Sequence, residues 1–357
     1  MPETIKILEF ITPSTIGGAE VLVADFCLTL SKLGAQVDVF CPLGRPFVNY
    51  SASRGLKCFS WKTSGKIDPI TVLRLSQFIR NNQIHLVHTH LSTASILGSL
   101  AARLAHVPSV AHVHGLNNAN CFRYSTRVIA VSKAVKEHLC AQGIPAHKVT
   151  VVYNGVDLSK FDPVPSTMAK QQLGYDISKP LIGVFGRLSA EKGQISAIRA
   201  MPLILSKHPG AILLLAGRGR DEERLKSAAT DMGIADKVLF PGFTQDIRQF
   251  MSACDIVLTP SNKEGFGISA IEAMALERPV IASSVGGLIE IVEDGETGFI
   301  VSPQKPEEIA AKVIELLDDR HLSLQMGIKG RKRVESHFDL NKQTALLLSV
   351  MRNEIHR

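Results

Sequence analysis

Two segments in the second half of the chain combine cations, carboxylates and glycines in a way that suits a diphosphate. In GRLSAEKG (186–193) a near-continuous apolar run ends at Gly186, and Arg187 and Lys192 follow before a helix-length segment begins. Arg offers a two-pronged fork and Lys a point charge, both natural opponents of phosphate oxygens. Gly186 and Gly193 let the backbone approach a ligand closely. In TPSNKEGFGISAIEAMALERP (259–279) a second apolar run ends at Pro260 and a Gly265-Phe266-Gly267 turn follows. The pattern predicts a helix opening near Gly267 and Ile268, whose positive end suits phosphate. Glu264 in the loop and Glu272 in the helix cannot bind phosphate. They are suited to accepting hydrogen bonds from hydroxyls, as on a sugar and a ribose.

The first half carries a different set. H-x-H occurs twice, as His88/His90 and His112/His114, each pair at the carboxyl end of a strand-like run. A spacing of two puts each pair on one sheet face. Four imidazoles at neighbouring strand ends could ligate zinc, and a zinc-dependent hydrolase is the rival reading from a different class. Against it, no Asp, Glu or Cys close in sequence completes a catalytic set, and the second half would be unexplained. Hydrogen-bonding duties at strand ends are the plainer reading of His90 and His112. GGAE (17–20) follows the first strand and opens a helix, so Gly17 and Gly18 could approach a phosphate or simply make a tight turn into a capped helix.

These residues need elements to hold them. Strand-like runs fall at 5–10, 37–41, 56–60, 86–90, 109–113, 127–131 and 149–153, with helical stretches at 18–33, 68–82, 93–106 and 132–142. Such alternation predicts a parallel sheet covered on both faces. The stretch 161–180, with three prolines, reads as a linker. The alternation then restarts at 180–186, 211–217, 237–242, 255–261, 279–283 and 297–301, and helices near 306–317, 322–336 and 340–355 close the chain. Two doubly wound α/β domains, 1–165 and 166–339, are expected. Ligands of such sheets bind outside the carboxyl ends of the strands, where the candidate residues lie.

Composition narrows the classes. The 357 residues are 45% hydrophobic and 20% charged, an ordinary globular balance. The N-terminus lacks a signal-peptide pattern, and no apolar run reaches the about 18–20 residues of a membrane span. The six scattered cysteines read as reduced thiols, so a cytoplasmic location is expected. The net charge of +7 is uneven: residues 1–160 hold 16 Lys and Arg against 8 Asp and Glu. Arg45, Arg54, Lys57, Lys62, Lys66, Arg123 and Arg127, with aromatic neighbours, suggest an anionic partner such as a phospholipid surface. Nucleic acid is not indicated, because no binding motif or dense basic stripe is present.

GRLSAEKG, followed by E-x7-E in EGFGISAIE, resembles the retaining nucleotide-sugar glycosyltransferases of family 4. GGAE (17–20), HTH (88–90), HVHG (112–115), YNGVD (153–157), PGF (241–243) and SSVGGLIEIVEDGETGFIV (283–301) fall in that family's order along the whole chain. The resemblance implies a GT-B fold, two Rossmann-like domains facing each other across a cleft, with the helix at about 340–357 returning to the first domain. It implies that Arg187 and Lys192 hold the donor diphosphate and that Glu272 binds the ribose. Glu264 would contact the donor sugar, and the backbone from Gly265 through Phe266 and Gly267 to Ile268 would face diphosphate or sugar. Gly242 and Phe243 would lie along the base, Gly17 and Gly18 would line the cleft, and His114 would contact the sugar near its anomeric carbon.

The reaction so implied moves a sugar from a nucleoside-diphosphate sugar, UDP favoured over GDP, to a hydroxyl of a glycan or lipid-linked acceptor with retention. No cofactor or divalent metal is expected, since the cations face the leaving group and no DxD stands in a suitable loop. Cell-envelope or extracellular polysaccharide and glycolipid synthesis, with peripheral contact to the inner face of the cytoplasmic membrane, is the expected setting. An epimerase or phosphorylase of the same fold is the nearer alternative. One position departs from the family: Arg218 stands between the glycines of AGRGRDEE (216–223), where an acidic residue is usual.

Overall fold

The computed structural model describes residues 4–65, 68–243 and 246–357, so Lys66 lies outside the described residues. The chain divides into two compact units. One is Met1–Gly155 together with Leu340–Arg357, and the other is Val156–Asp339.

In the first unit seven parallel strands stand in the order β3-β2-β1-β4-β5-β6-β7. They are β1 (Lys6–Ile11), β2 (Gln36–Phe40), β3 (Cys58–Phe59), β4 (Leu86–His90), β5 (Ser109–Val113), β6 (Arg127–Ala130) and β7 (Val149–Val151). The second unit has six parallel strands, β8 (Leu181–Phe185), β9 (Ile212–Ala216), β10 (Val238–Gly242), β11 (Ile256–Thr259), β12 (Val280–Ser283) and β13 (Gly298–Val301). Their order is β10-β9-β8-β11-β12-β13. Strands such as LIGVF (β8) and VIAS (β12) are buried at every position because helices cover both faces. Both sheets are doubly wound, and strand order reverses between β1 and β4 in one and between β8 and β11 in the other. A crevice opens at each reversal, outside the carboxyl ends of the strands.

Two sequence expectations are corrected. The unit boundary falls between Gly155 and Val156, not after 165. Val156 bridges to Asp339, and its N–H donates to the Phe338 carbonyl at 2.8 Å. The 161–180 stretch is also more than a linker. It contains a helix, Ser166–Gln172, whose Lys170 is 2% exposed. Lys170 Nζ donates to Asp255 Oδ2 at 2.6 Å and to the Lys179 carbonyl at 2.8 Å, tying the segment to the second unit. The final helix, Leu340–Ile355, packs on Gly18–Lys32 in the first unit. There the nearly buried Glu354 accepts from Arg127 Nε at 2.8 Å and Nη2 at 2.6 Å.

Candidate active site

In the second unit the predicted cations and carboxylates gather at the reversal between β8 and β11. Lys192, beyond β8, places Nζ 2.6 Å from Glu264 Oε2, in the loop beyond β11. Ser261 Oγ donates to the same oxygen at 3.1 Å. The Lys192 side chain is 27% exposed and that of Glu264 12%, so the pair is partly shielded yet reachable. An ammonium group has three donors, and the bond to Glu264 uses one of them. Arg187 is held more loosely. Its Nη2 stands 3.3 Å from Glu191 Oε2, and its side chain is 68% exposed, where an ion pair contributes little.

Backbone contacts lock these loops together. The N–H groups of Asn262 and Lys263 both donate to the Glu191 carbonyl, at 2.8 and 3.1 Å, and Asn262 Nδ2 donates to the Ala190 carbonyl at 2.7 Å. Gln194 Nε2 donates to the Arg187 carbonyl at 2.9 Å. Gly193 has φ +67°, and a Cβ there would lie 1.9 Å from the Pro260 carbonyl oxygen. Gly286, in the loop after β12, has φ +53°, and a Cβ there would lie 1.8 Å from the Glu264 carbonyl oxygen. Glycine at both positions is what lets the loops after three strands, β8, β11 and β12, pack this closely.

The helix after the Gly265-Phe266-Gly267 turn runs Ile268–Ala275 and has Gly267 at its N-cap, φ +118°, with no side chain capping it. Phe266 is an anchor: its ring is buried edge-on against Phe338 with centroids 5.7 Å apart, so only its backbone can serve a ligand. Glu272 is half-buried in the second turn of this helix. At the β10 end Gly242 has φ +77°, and Phe243 is 53% exposed beside it. Arg218 lies over this turn, its Nε 3.9 Å from where a Gly242 Cβ would be. Gly186, at φ +137°, turns the chain out of β8.

In the first unit Gly17 is the N-cap of the helix Gly18–Lys32, and its N–H donates to Glu20 Oε2 at 2.9 Å. That amide is engaged within the helix cap, which leaves Gly18 as the exposed half of the pair for any phosphate contact.

All four histidines of the H-x-H pairs meet, and they meet on a carboxylate that sequence reasoning passed over. Glu9, in the middle of β1, pairs with His88 of β4 in the strand register, and His90 pairs with His112 of β5. His88 Nδ1 lies 2.8 Å from Glu9 Oε2 and 3.0 Å from Oε1, and His90 Nε2 lies 2.8 Å from Oε2. His90 Nδ1 is 3.0 Å from His114 Nε2, and His88 Nε2 is 3.3 Å from His112 Nδ1. Glu9, His88, His90 and His112 are fully buried and His114 half-buried. Burial pushes the Glu9 carboxyl up, but the attraction and hydrogen bonds of His88 and His90 outweigh it and hold it at about 2. Burial also drives His90 down to about 4 and His112 and His114 well below 6.5, with neighbouring imidazoles adding to the effect. Ring nitrogens of His88, His90 and His112 lie within 4.8 Å of one another, the one such cluster among the described residues. A zinc site brings its nitrogens to about 2.0–2.1 Å from the metal, and here the nitrogens of His88 and His90 are already committed to Glu9. The one sequence signal for this cluster is an acidic residue inside the otherwise apolar ILEFI of β1.

Known proteins resemble this chain along most of its length. The family model described as Glycosyltransferase Family 4 matches residues 16–160, and that described as Glycosyl transferases group 1 matches residues 166–333. An uncharacterized glycosyltransferase of Methanocaldococcus jannaschii is 30% identical over 346 residues, covering 86% of this chain and 87% of its own length. A GDP-mannose-dependent monoacylated alpha-(1-6)-phosphatidylinositol monomannoside mannosyltransferase of Corynebacterium glutamicum is 27% identical, covering 96% of each chain. The crystal structure of Anabaena HepE in complex with UDP and glucose superposes with a TM-score of 0.87 at 25% identity, over 98% of this chain and 99% of that one. With two doubly wound parallel sheets, basic and acidic residues gathered at a strand reversal, and relatives matching along nearly its full length, the chain belongs to the family 4 glycosyltransferases of GT-B fold.

Proposed function

We propose that the protein transfers a sugar from a UDP-sugar to a hydroxyl of a glycan or lipid-linked acceptor with retention at the anomeric carbon, and without a divalent metal. The observation that carries this reading is the placement of Lys192 Nζ 2.6 Å from Glu264 beside the uncapped helix start at Gly267. As the bond from the anomeric carbon to the diphosphate oxygen breaks, negative charge grows on the leaving group. Lys192, Arg187 and the helix end stabilise that charge, the role a metal ion plays in other sites. Glu264 holds Lys192 in place and accepts hydroxyls of the donor sugar. Glu272 binds the ribose, and the backbone from Gly265 to Ile268 follows the diphosphate. Gly186 contributes close backbone approach, and Gly242 and Phe243 meet the base. The acceptor oxygen attacks from the face the diphosphate leaves, and its proton passes to the departing phosphate oxygen.

UDP is favoured by the likeness to HepE, whose structure holds UDP, whereas the C. glutamicum relative uses GDP-mannose. A lipid-linked acceptor accords with that relative's phosphatidylinositol mannoside and with the surface of the first unit. Arg54, Lys57 and Arg127 are engaged with Asp25, Asp38 and Glu354. The apolar Ile70 and Leu73, 68% and 63% exposed on one face of the helix Pro69–Asn81, stand beside Arg74 as a better membrane-facing patch. No helix among the described residues is long and apolar enough to cross a membrane.

Thermal shift against UDP, GDP, ADP and their sugars tests the donor. A rise in Tm with UDP and UDP-sugars, unaltered by a chelator, is expected. No shift with any nucleotide would remove the donor site. Formation of a sugar isomer with no free UDP would point to an epimerase instead.

A further inference from the structure

Arg218, the position at which the chain departs from its family, is placed with little freedom. It stands just beyond β9 between two glycines, and neither glycine could carry a side chain. A Cβ on Gly217 would run into the Gly186 carbonyl, and one on Gly219 into the backbone of Leu188. The loops after β8, β9 and β10 are joined backbone to backbone at this point. The Gly217 N–H donates to the Gly242 carbonyl at 3.0 Å, and the Leu188 N–H donates to the Arg218 carbonyl at 3.1 Å. The Arg218 side chain is exposed and has no hydrogen-bond or ion-pair partner among the described residues. Its Nε lies over the Gly242 turn, beside the exposed Phe243. Strands β8, β9 and β10 are neighbours in that order, and at about 4.8 Å per neighbour β10 stands about 10 Å from β8. A ribose and a base span about that distance from a diphosphate held at Lys192, beyond β8.

We propose that Arg218 is a specificity-determining residue for the donor's base, favouring uracil or guanine and disfavouring cytosine and adenine. This rests on the reading that Gly242 and Phe243 meet the base. A guanidinium only donates hydrogen bonds, so it selects an edge that accepts them. Uracil presents the carbonyl O4, as thymine does, and guanine presents O6 and N7. Cytosine and adenine present an amine, N4 or N6, at the corresponding place, and two donors then face each other. The ring of Phe243 offers a stacking face that takes any base, which leaves the choice to Arg218. UDP and CDP make the sharpest comparison. Ribose and diphosphate are the same in both, and the two bases differ only on the edge around C4.

Isothermal titration calorimetry on the full-length protein, with UDP and CDP as the probes, tests the role without an acceptor or any turnover. Wild type is expected to bind UDP about tenfold or more tightly than CDP. Arg218→Ala should weaken UDP by about the same factor and leave CDP little changed, which closes the gap. Arg218→Glu should turn the preference toward CDP, since a carboxylate accepts from the N4 amine. Equal affinity of wild type for the two nucleotides would overturn the proposal. So would an equal loss of both in Arg218→Ala, which would put the guanidinium on the shared ribose and diphosphate, or an unchanged ratio in both variants. In each of these cases UDP still binds, and the donor reading at Lys192 stands. Wild type that binds neither UDP nor GDP would overturn the donor reading itself, and this role with it.

Discussion

The pairing of Lys192 with Glu264 gives two residues one job at the residue scale. The ammonium is held within reach of a ligand by a carboxylate that also accepts from Ser261, so its position is set before the donor arrives. Preorganised donors aimed at developing charge are what lower a barrier, since they need no rearrangement as the reaction proceeds. Lys192→Ala should reduce kcat by about 10²–10³, equivalent to about 2.7–4 kcal/mol, as measured by release of the nucleoside diphosphate. Far-ultraviolet circular dichroism should be unchanged, because the pair is partly exposed and lies outside the hydrophobic core. Full turnover in this variant would remove Lys192 from the reaction. Glu264→Gln should also slow turnover, but less, because an amide oxygen can still accept from Lys192 while the charge attraction is lost.

At the scale of elements, the loops after β8, β11 and β12 behave as one object. A methyl group on Gly286 would need space already filled by the Glu264 carbonyl, 1.8 Å away, and would sit in the left-handed region at φ +53°. The strain of such a conformation costs roughly 1–2 kcal/mol before the clash is counted. Gly286→Ala should therefore displace Glu264 and abolish the thermal shift given by UDP while the strands of the second unit stay intact. A variant that keeps the wild-type UDP shift would show that the loop after β12 does not shape the donor site. The sequence marks these loops, since glycines follow an apolar run in each case and charged residues join them after β8 and β11. Which loops touch is another matter: β8 and β11 are neighbours only because the strand order reverses between them.

On the scale of the molecule, acid should weaken the fold earlier than its carboxylates alone would cause. His90, His112 and His114 are held neutral, His90 with a value of about 4 against an ordinary 6.5. Below about 6.5 the unfolded chain takes up protons that the folded chain refuses, so stability falls as pH drops through that range. Glu9 behaves differently. With a folded value of about 2 its contribution is complete above the ordinary 4.5, and it is lost only in stronger acid, as pH falls from 4.5 toward 2. The Tm should be steady from pH 8 to 7 and decline from about 6.5 downward, in steps smaller for a His112→Gln variant. A Tm unchanged between pH 7 and pH 5 would mean that these imidazoles are not kept neutral in the folded chain.

The sequence by itself determined the alternation of strands and helices, the restart near residue 180, and the cations and carboxylates that follow β8 and β11. These are local matters: an apolar run of five residues forms a buried strand, and glycine with charge at its end forms a loop that a ligand can reach. It also placed the four histidines at strand ends. Glu9 was illegible as their partner, because 79 residues separate it from His88 and a lone acid in a strand carries no sign of what faces it. Its role was decided by β1 lying against β4 in the sheet, which brings a carboxylate and two imidazoles together away from water. The same holds for the 161–180 segment, whose prolines suggest a linker until Lys170 is seen buried on Asp255. Local pattern fixes what each segment is, while sheet order decides which charges must share a low-dielectric interior and therefore which atoms carry the protons.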